Sequence, residues 1–278
     1  MSVTAAAPSA VAPATRRDGS GVTLPHVIRS EWTKLWSLRS TRYSLIAAFV
    51  GMAGLGPLIA VVSMARWAHL SVQDRLTFDS IDRSLGGFHL AQLAIAVLGV
   101  LVITGEYSTG QIRSSLLAVP RRLPVLWAKL LVFAAVTFML MLVASLIGFF
   151  ASQAILTQHH VNVSLSHPHA LRALLGTVLY MTVTGVLCTA LGTIVRSTAG
   201  GISTFVALLF VLPGIMDILP SSIGNAVHPY LPSTAGAGVG QAVLDPHMFS
   251  PWGGFALFCG YTALAVAVAA YVLRRRDA

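Results

Sequence analysis

Hydrophobic residues in this chain are gathered into six long runs. The runs lie near residues 43–64, 86–104, 125–151, 171–195, 199–219 and 253–273. An α-helix of about 20 apolar residues is long enough to cross the hydrocarbon core of a bilayer. The pattern therefore predicts an all-α fold, a polytopic membrane protein with six transmembrane helices.

Positive charges fall in every second segment between these runs, which sets the orientation. Fourteen of the 18 Lys and Arg residues lie before the first run, after the second, after the fourth or after the sixth. The positive-inside rule makes those segments cytoplasmic. Both termini are therefore predicted to be inside, consistent with an even number of spans.

Composition supports a membrane protein and excludes most soluble functions. Hydrophobic residues make up 55% of the chain and charged residues only 10%, whereas soluble domains carry about 25% charged residues. The formal net charge of +9 is typical of some nucleic-acid-binding proteins. Because the cations lie just beyond span ends, we expect them to face anionic lipid head groups instead. No nucleic-acid partner and no separate soluble domain are predicted.

The segment before the first run divides into two parts. Residues 1–25 are rich in Ala, Ser, Thr and Pro and are predicted to form a disordered cytoplasmic tail. Residues 26–40 place Ile28, Trp32 and Trp36 on one helical face, so they favour a helix lying in the head-group layer. An ordinary flanking segment that anchors the first span is the alternative.

The inner loop at 103–130 is the most informative polar segment. Glu106 lies where the second run ends, and Ser108 or Thr109 is a candidate cap for a short helix that Pro120 would end. A short rigid helix with exposed cations favours transmission of force to a cytoplasmic partner. A basic loop that only sets the topology is the alternative.

The external region between the fifth and sixth runs, residues 220–252, is interrupted by proline five times. Within it, residues 233–244 are small and apolar but too few to cross a bilayer. They are predicted to form a re-entrant or in-plane external helix.

A second outer loop carries His159, His160, His167 and His169. Clustered histidines bind zinc or copper in some proteins. No acidic residue or cysteine lies nearby to complete a site, so a neutral external loop is the favoured interpretation. Metal binding stays open.

Motifs for independent catalysis or self-powered transport are absent from the sequence. The only lysines are Lys34 and Lys129, and neither follows glycine, so no phosphate-binding loop exists. No HExxH motif, no pair of carboxylates within the runs and no serine–histidine pair at membrane depth occurs. Ionisable residues that would mark a proton or sodium pathway are also lacking. We therefore predict no catalytic, cofactor-binding or metal-binding residues.

Several segments together resemble the permease subunits of type-2 ABC transporters, the actinobacterial members in particular. They are EWTKLWSLRST at 31–41, ITGEYSTGQIRSSLLAVPRRLPVLWAKL at 103–130, RSTAGG at 196–201, LPSTAG at 231–236 and the terminal RRRDA. The inner-loop sequence is the most specific of these. The resemblance covers nearly everything after residue 25.

The resemblance implies two cytoplasmic helices and an ionic contact. A connecting helix at 26–40 would include Glu31, Trp32, Lys34, Trp36 and Arg39. A coupling helix near 108–119 would dock into a separate ATPase, with contacts from Glu106, Ser108, Thr109, Gln111, Arg113, Arg121 and Arg122. The acidic residue at the inner end of the second span matches Glu106, which would pair with Arg39, Arg42 or Arg113.

The resemblance also implies an assembly and a location. Two permeases, expected as a homodimer, would join two ATPase subunits that bind ATP and Mg²⁺. The substrate path would run between the permeases, lined by the second and fifth spans. The complex would lie in a bacterial plasma membrane, in contact with its lipids. The predicted function is ATP-driven transport, outward in direction; the alternative is a membrane anchor or sensor for a cytoplasmic regulatory partner.

Overall fold

The computed structural model of the chain describes residues 24–110, 122–243 and 246–275. Most of these residues are helical, and no strand occurs within the described ranges. Six helical stretches are long and apolar enough to cross a membrane, which confirms the predicted fold class. They are span 1 (Arg39–Ala65), span 2 (Phe88–Ser108), span 3 (Arg122–Leu156), span 4 (Ala170–Val195), span 5 (Thr198–Ile218) and span 6 (Pro251–Arg275).

A separate helix, Leu24–Ser37, precedes span 1 and is called the connecting helix below. It is shorter than the predicted 26–40, because the backbone is extended at Leu38 and Arg39 begins span 1. Val27 and Leu35 are buried on one face of this helix, whereas Trp32 and Trp36 are 49% and 43% exposed. The exposed tryptophans are compatible with a head-group location, and the in-plane orientation stays a prediction. The predicted tail lies almost entirely outside the described residues.

Span 4 occupies the centre of the bundle. It packs against spans 2, 3, 5 and 6. Within the most apolar windows of the spans, 61% of span 4 is buried but only 17% of span 5. Most residues of span 5 are therefore only partly covered, or not covered, by this chain.

Glycines allow the backbones of neighbouring helices to approach closely. A Cβ on Gly56 of span 1 would overlap the carbonyl group of Ser84, in the short helix Ser80–Leu85 that precedes span 2. A Cβ on Gly54 would meet only a side chain of its own helix. Span 1 therefore approaches its neighbour closely at Gly56 and not at Gly54. Span 1 continues as one helix through Pro57.

Span 5 contains a π-helical segment, Ala207–Val211, between two α-helical parts. Pro213 follows it and has no N–H to donate to the carbonyl group of Leu209. The regular hydrogen-bond ladder is interrupted at this point. π-Helical segments are frequent at functional sites in membrane and soluble helices.

The chain between spans 5 and 6 folds back onto the bundle, and residues 220–243 are called the outer segment below. It contains the helices Ser221–Val227 and Pro232–Ala237, each followed by a short 3₁₀ turn. The predicted external helix at 233–244 is therefore shorter than expected and ends at a turn through Gly238–Gly240. Val239 is fully buried against span 4, where Gly176 lies directly beneath its carbonyl group.

We expect Gly176→Ala to destabilise the protein by about 1–3 kcal/mol, the usual cost of overpacking. The new Cβ would overlap backbone atoms of Val239 and push the outer segment away from span 4. Gly260→Ala in span 6 is the matched control, since its Cβ would meet nothing within 4 Å. Thermal unfolding of the purified chain in detergent measures both. Equal melting temperatures for the two variants would contradict the packing described above.

Candidate coupling site

The connecting helix meets the end of span 2 and the start of span 3 at one end of the bundle. Glu31 and Lys34 lie on the connecting helix, Glu106 lies in the last turn of span 2, and Lys129 lies two turns into span 3. The four side chains contact one another and are called the charge cluster below.

Each lysine of the charge cluster bridges both carboxylates. Lys129 Nζ donates to Glu31 Oε2 at 2.6 Å and to Glu106 Oε1 at 2.9 Å. Lys34 Nζ donates to Glu31 Oε1 at 2.7 Å and to Glu106 Oε1 at 3.1 Å. Charge-assisted hydrogen bonds of this kind are stronger than neutral ones. Three helices are therefore joined by one ionic contact.

Burial makes the members of the charge cluster depend on one another. Lys129 is 3% exposed, Glu31 5% and Glu106 7%, while the side chain of Lys34 is 33% exposed. The formal charges of the four side chains cancel. Loss of one charge would leave another charge buried without compensation, which is strongly destabilising.

The charge cluster contains every lysine and every glutamate in the chain. All other cations are arginines and all other acidic residues are aspartates. A lysine ammonium group is a compact charge with three donors, which suits contact with two separate carboxylates. The longer glutamate side chain gives each carboxylate the reach to accept from both lysines.

The pKa shifts of the two connecting-helix residues agree with this pairing. Burial alone would raise the pKa of Glu31, but the ammonium groups of Lys129 and Lys34 outweigh it and lower that pKa below its usual 4.5. Burial alone would lower the pKa of Lys34, but Glu31 and Glu106 outweigh it and raise that pKa above 10.5. Both residues therefore carry their charges at neutral pH.

Local sequence places these side chains. Val27, Glu31 and Leu35 follow one another at four-residue intervals, so they share one face of the connecting helix. Val27 packs against Val125 and Ala128 of span 3. This apolar contact sets the connecting helix beside Lys129 and shields the ion pairs from water.

A cavity of about 420 Å³ opens beside the charge cluster, between the connecting helix, the start of span 1 and the end of span 2. Ser108 and Thr109 line it together with Glu31, Lys34 and Glu106. Glu106 Oε2 is buried and has no hydrogen-bond partner in the part of the chain that the structure describes.

A second contact ties the end of span 2 to the turn between spans 4 and 5. The guanidinium carbon of Arg196 lies 5.1 Å from the ring centroid of Tyr107. Arg196 has a left-handed backbone, with φ 58°, which ends span 4 and allows Ser197 to cap span 5. Only Arg196 and Ser197 separate these two spans.

The hydroxyls of Ser108 and Thr109 lie at the end of span 2. Both donate back to the carbonyl oxygen of Gly105, at 3.0 and 2.8 Å. The short helix that they were predicted to cap lies outside the described residues, so their capping role stays a prediction.

The other predicted coupling residues are only partly described. Gln111, Arg113 and Arg121, with most of the predicted coupling helix, lie outside the described residues. Arg122 is the first residue of span 3. The coupling role of all these residues stays a prediction.

The predicted partners of Glu106 were wrong in the described part of the chain. Glu106 pairs with Lys34 and Lys129 instead of Arg39 or Arg42. Arg39 begins span 1 rather than continuing the connecting helix, which separates it from the charge cluster. The predicted partner Arg113 lies outside the described residues.

Sequence reasoning treated Lys129 as one of the exposed inner-loop cations. Its burial at 3% exposure corrects that view. The available signal was its position: Lys129 lies inside the apolar run 125–151 and needs an acidic partner there. A buried lysine needs a carboxylate partner, and Glu31 and Glu106 supply the carboxylates here.

We expect Lys129→Met to destabilise the chain by about 3–5 kcal/mol, because among the described residues it leaves Lys34 as the one cation facing two buried carboxylates. The double variant Lys129→Met with Glu106→Gln removes the excess negative charge as well, so it should be more stable than the sum of the single effects. Denaturant unfolding in detergent measures all four members of this double-mutant cycle. Simple additivity would show that the two side chains do not interact.

Comparison with known proteins identifies the family. Curated protein sequences give no match. A family model described as ABC-2 family transporter protein matches residues 27–214, which is more than half of the chain. The match includes the charge cluster, spans 1 to 4 and most of span 5. The chain therefore belongs to the ABC-2 family of membrane transporter proteins.

Proposed function

We propose that this membrane permease carries its substrate outward, driven by ATP that a separate ATPase subunit hydrolyses. Membership of the ABC-2 family supports a partner ATPase in general. ATP and Mg²⁺ bind to that partner, and this chain supplies the path through the membrane. The outward direction is part of this proposal.

The charge cluster is the observation that carries this proposal. Glu106 ends the span before the inner loop, and Lys129 lies near the start of the span after it. Glu106 contacts Lys34 of the connecting helix, and Lys129 contacts Glu31 of the same helix. A push on either the inner loop or the connecting helix therefore reaches the ends of spans 2 and 3 together.

Coupling would be a rigid-body change. Packed helices tend to rotate or shift as units between discrete arrangements. Closure of the ATPase subunits would displace the inner loop, and the charge cluster would carry that displacement to spans 2 and 3. Span 4 packs against both of these spans, so the movement extends into the centre of the bundle.

The assembly we propose is a homodimer of permeases with two ATPase subunits. Span 5 supports it, because this span packs on spans 2 and 4 by one side and exposes apolar side chains elsewhere. Val211 is 50% exposed and Ile215 48%. A second copy of span 5 would cover this surface and enclose a path between the two chains.

Purification of the tagged chain from its native membrane tests the proposed partner. We expect a subunit with a phosphate-binding loop to co-purify at equal stoichiometry. Inverted vesicles that contain the complex should accumulate substrate in their lumen when ATP is added outside. Co-purification of a kinase or protease, with no ATPase, would favour an anchor or sensor function instead.

Neutralising the charge cluster should uncouple the complex. With Glu106→Gln we expect permease-dependent stimulation of ATP hydrolysis to fall at least about fivefold, the lower end of usual allosteric coupling. Arg113→Ala in the inner loop should have the same effect. ATPase rates in lipid nanodiscs, with and without permease, measure this.

Asp74→Asn is the matched control, since Asp74 is an exposed acidic residue in the short helix Val72–Leu76 between spans 1 and 2. It should leave the stimulation unchanged. Size-exclusion chromatography establishes that each variant still forms the complex. Full stimulation in both Glu106→Gln and Arg113→Ala would remove these residues from the coupling mechanism.

A further inference from the structure

A cavity of about 680 Å³ lies at the end of the bundle opposite to the charge cluster. Its walls come from the short helix Ser80–Leu85, the start of span 2, span 4, the end of span 5, the outer segment and the residues that lead into span 6. Ligand-binding pockets in proteins commonly have volumes of about 300–1,000 Å³. The cavity is therefore large enough for an organic molecule of drug size, and one chain supplies all of its walls.

With its histidines neutral, the lining of this cavity is negatively charged. Asp82 and Asp217 line it beside His89 and His228, and its lining includes no lysine or arginine among the described residues. This is unusual for a chain with 18 basic and 9 acidic residues. Arg83 is close enough to Asp82 for their charges to interact, but it does not line the cavity.

The walls of the cavity also include several aromatic side chains. Phe88, Tyr180, Phe210 and Phe249 all line the cavity. Aromatic faces attract cations electrostatically and also bury apolar groups. The lining therefore suits a molecule that carries both a positive charge and an apolar body.

A buried amide in the wall lacks part of its hydrogen bonding. Gln92 lines the cavity and is only 3% exposed. Its Nε2 donates to the hydroxyl of Tyr180 at 2.8 Å, and no described residue donates to its amide oxygen. In the same wall Ser233 Oγ is buried and has no hydrogen-bond partner among the described residues. Buried polar groups are rarely left unpaired. Hydrogen-bond donors on a bound molecule would satisfy both oxygens.

We propose that this outer cavity is a binding site for an amphipathic organic cation. The apolar body contacts the aromatic walls, the positive charge lies near Asp82 and Asp217, and a donor group on the ligand reaches Gln92. An anion of the same shape is excluded by the two carboxylates. A bare metal ion does not suit the site, since the described residues contain no group of three metal-ligating side chains.

The cavity also borders the π-helical segment of span 5, where the regular helix is interrupted. Phe210 belongs to the π-helical segment of span 5, and Asp217 at the end of that span contacts His228 of the outer segment at 3.4 Å. A shift of the end of span 5 would widen or narrow the cavity. Binding of the cation does not depend on the proposed function. Its identification as the transported substrate rests on that function.

Binding of radiolabelled tetraphenylphosphonium to the purified full-length chain in detergent tests this proposal. The control ligand is tetraphenylborate, which has nearly the same size and shape and the opposite charge. We expect saturable binding of about one phosphonium per chain and much weaker binding of the borate. Equal affinities for the two ions, or uptake that does not saturate, would overturn the proposal.

Variants locate the site. The double variant Asp82→Asn with Asp217→Asn should weaken phosphonium binding at least about fivefold, the effect of removing one charge about 4 Å away in a water-like dielectric. Asp74→Asn makes the same chemical change outside the cavity and should bind like the wild type. Undiminished binding by the double variant would place the cation elsewhere and overturn the proposal.

These measurements use the permease without any ATPase, so they are independent of the proposed function. If the chain bound no tetraphenylphosphonium but still stimulated the ATPase, the binding-site proposal would be wrong and the proposed function would stand. Ligand binding by a chain that recruits no ATPase would uphold it while contradicting the proposed function.

Discussion

Four charged side chains that neutralise one another, three of them buried, join three helices at one end of this fold. None of the four can be removed alone without leaving a charge in a poorly hydrated place. Because the four side chains come from three helices, they fix the connecting helix to spans 2 and 3. Loss of one charge would disrupt the whole contact. That property makes the contact suitable for passing on a mechanical displacement, which a purely apolar and more plastic interface would absorb.

The spans of the bundle differ in how much of each is buried by its neighbours. Span 4 is enclosed by four other spans, and glycines such as Gly176 bring the outer segment down onto it. Span 5 is peripheral and carries the π-helical segment. The molecule thus combines a tightly packed centre with one span that is free to contact a second chain and to bend near its outer end.

The length and order of the six spans could be predicted from the sequence, because apolar runs of about 20 residues report directly on the membrane. The connecting helix was predicted as a helix, but its end was not, since the extended backbone at Leu38 has no proline or glycine to mark it. The partners of Glu106 were missed because Lys129 looked like a loop cation. The outer cavity was not foreseeable, since Asp82 and Asp217 lie far apart in sequence and only the fold places them around one space.

A distance measurement between the connecting helix and span 3 tests the central claim most directly. Spin labels can be attached at Arg29→Cys and Met139→Cys, both exposed positions, after replacement of Cys188 and Cys259 by alanine. The labelled chain is diluted with unlabelled permease and assembled with its ATPase. The account predicts one narrow distance that is the same in the nucleotide-free and the ATP-trapped complex. A distance that shifts or splits on trapping would show that the connecting helix moves independently of span 3, and would contradict it.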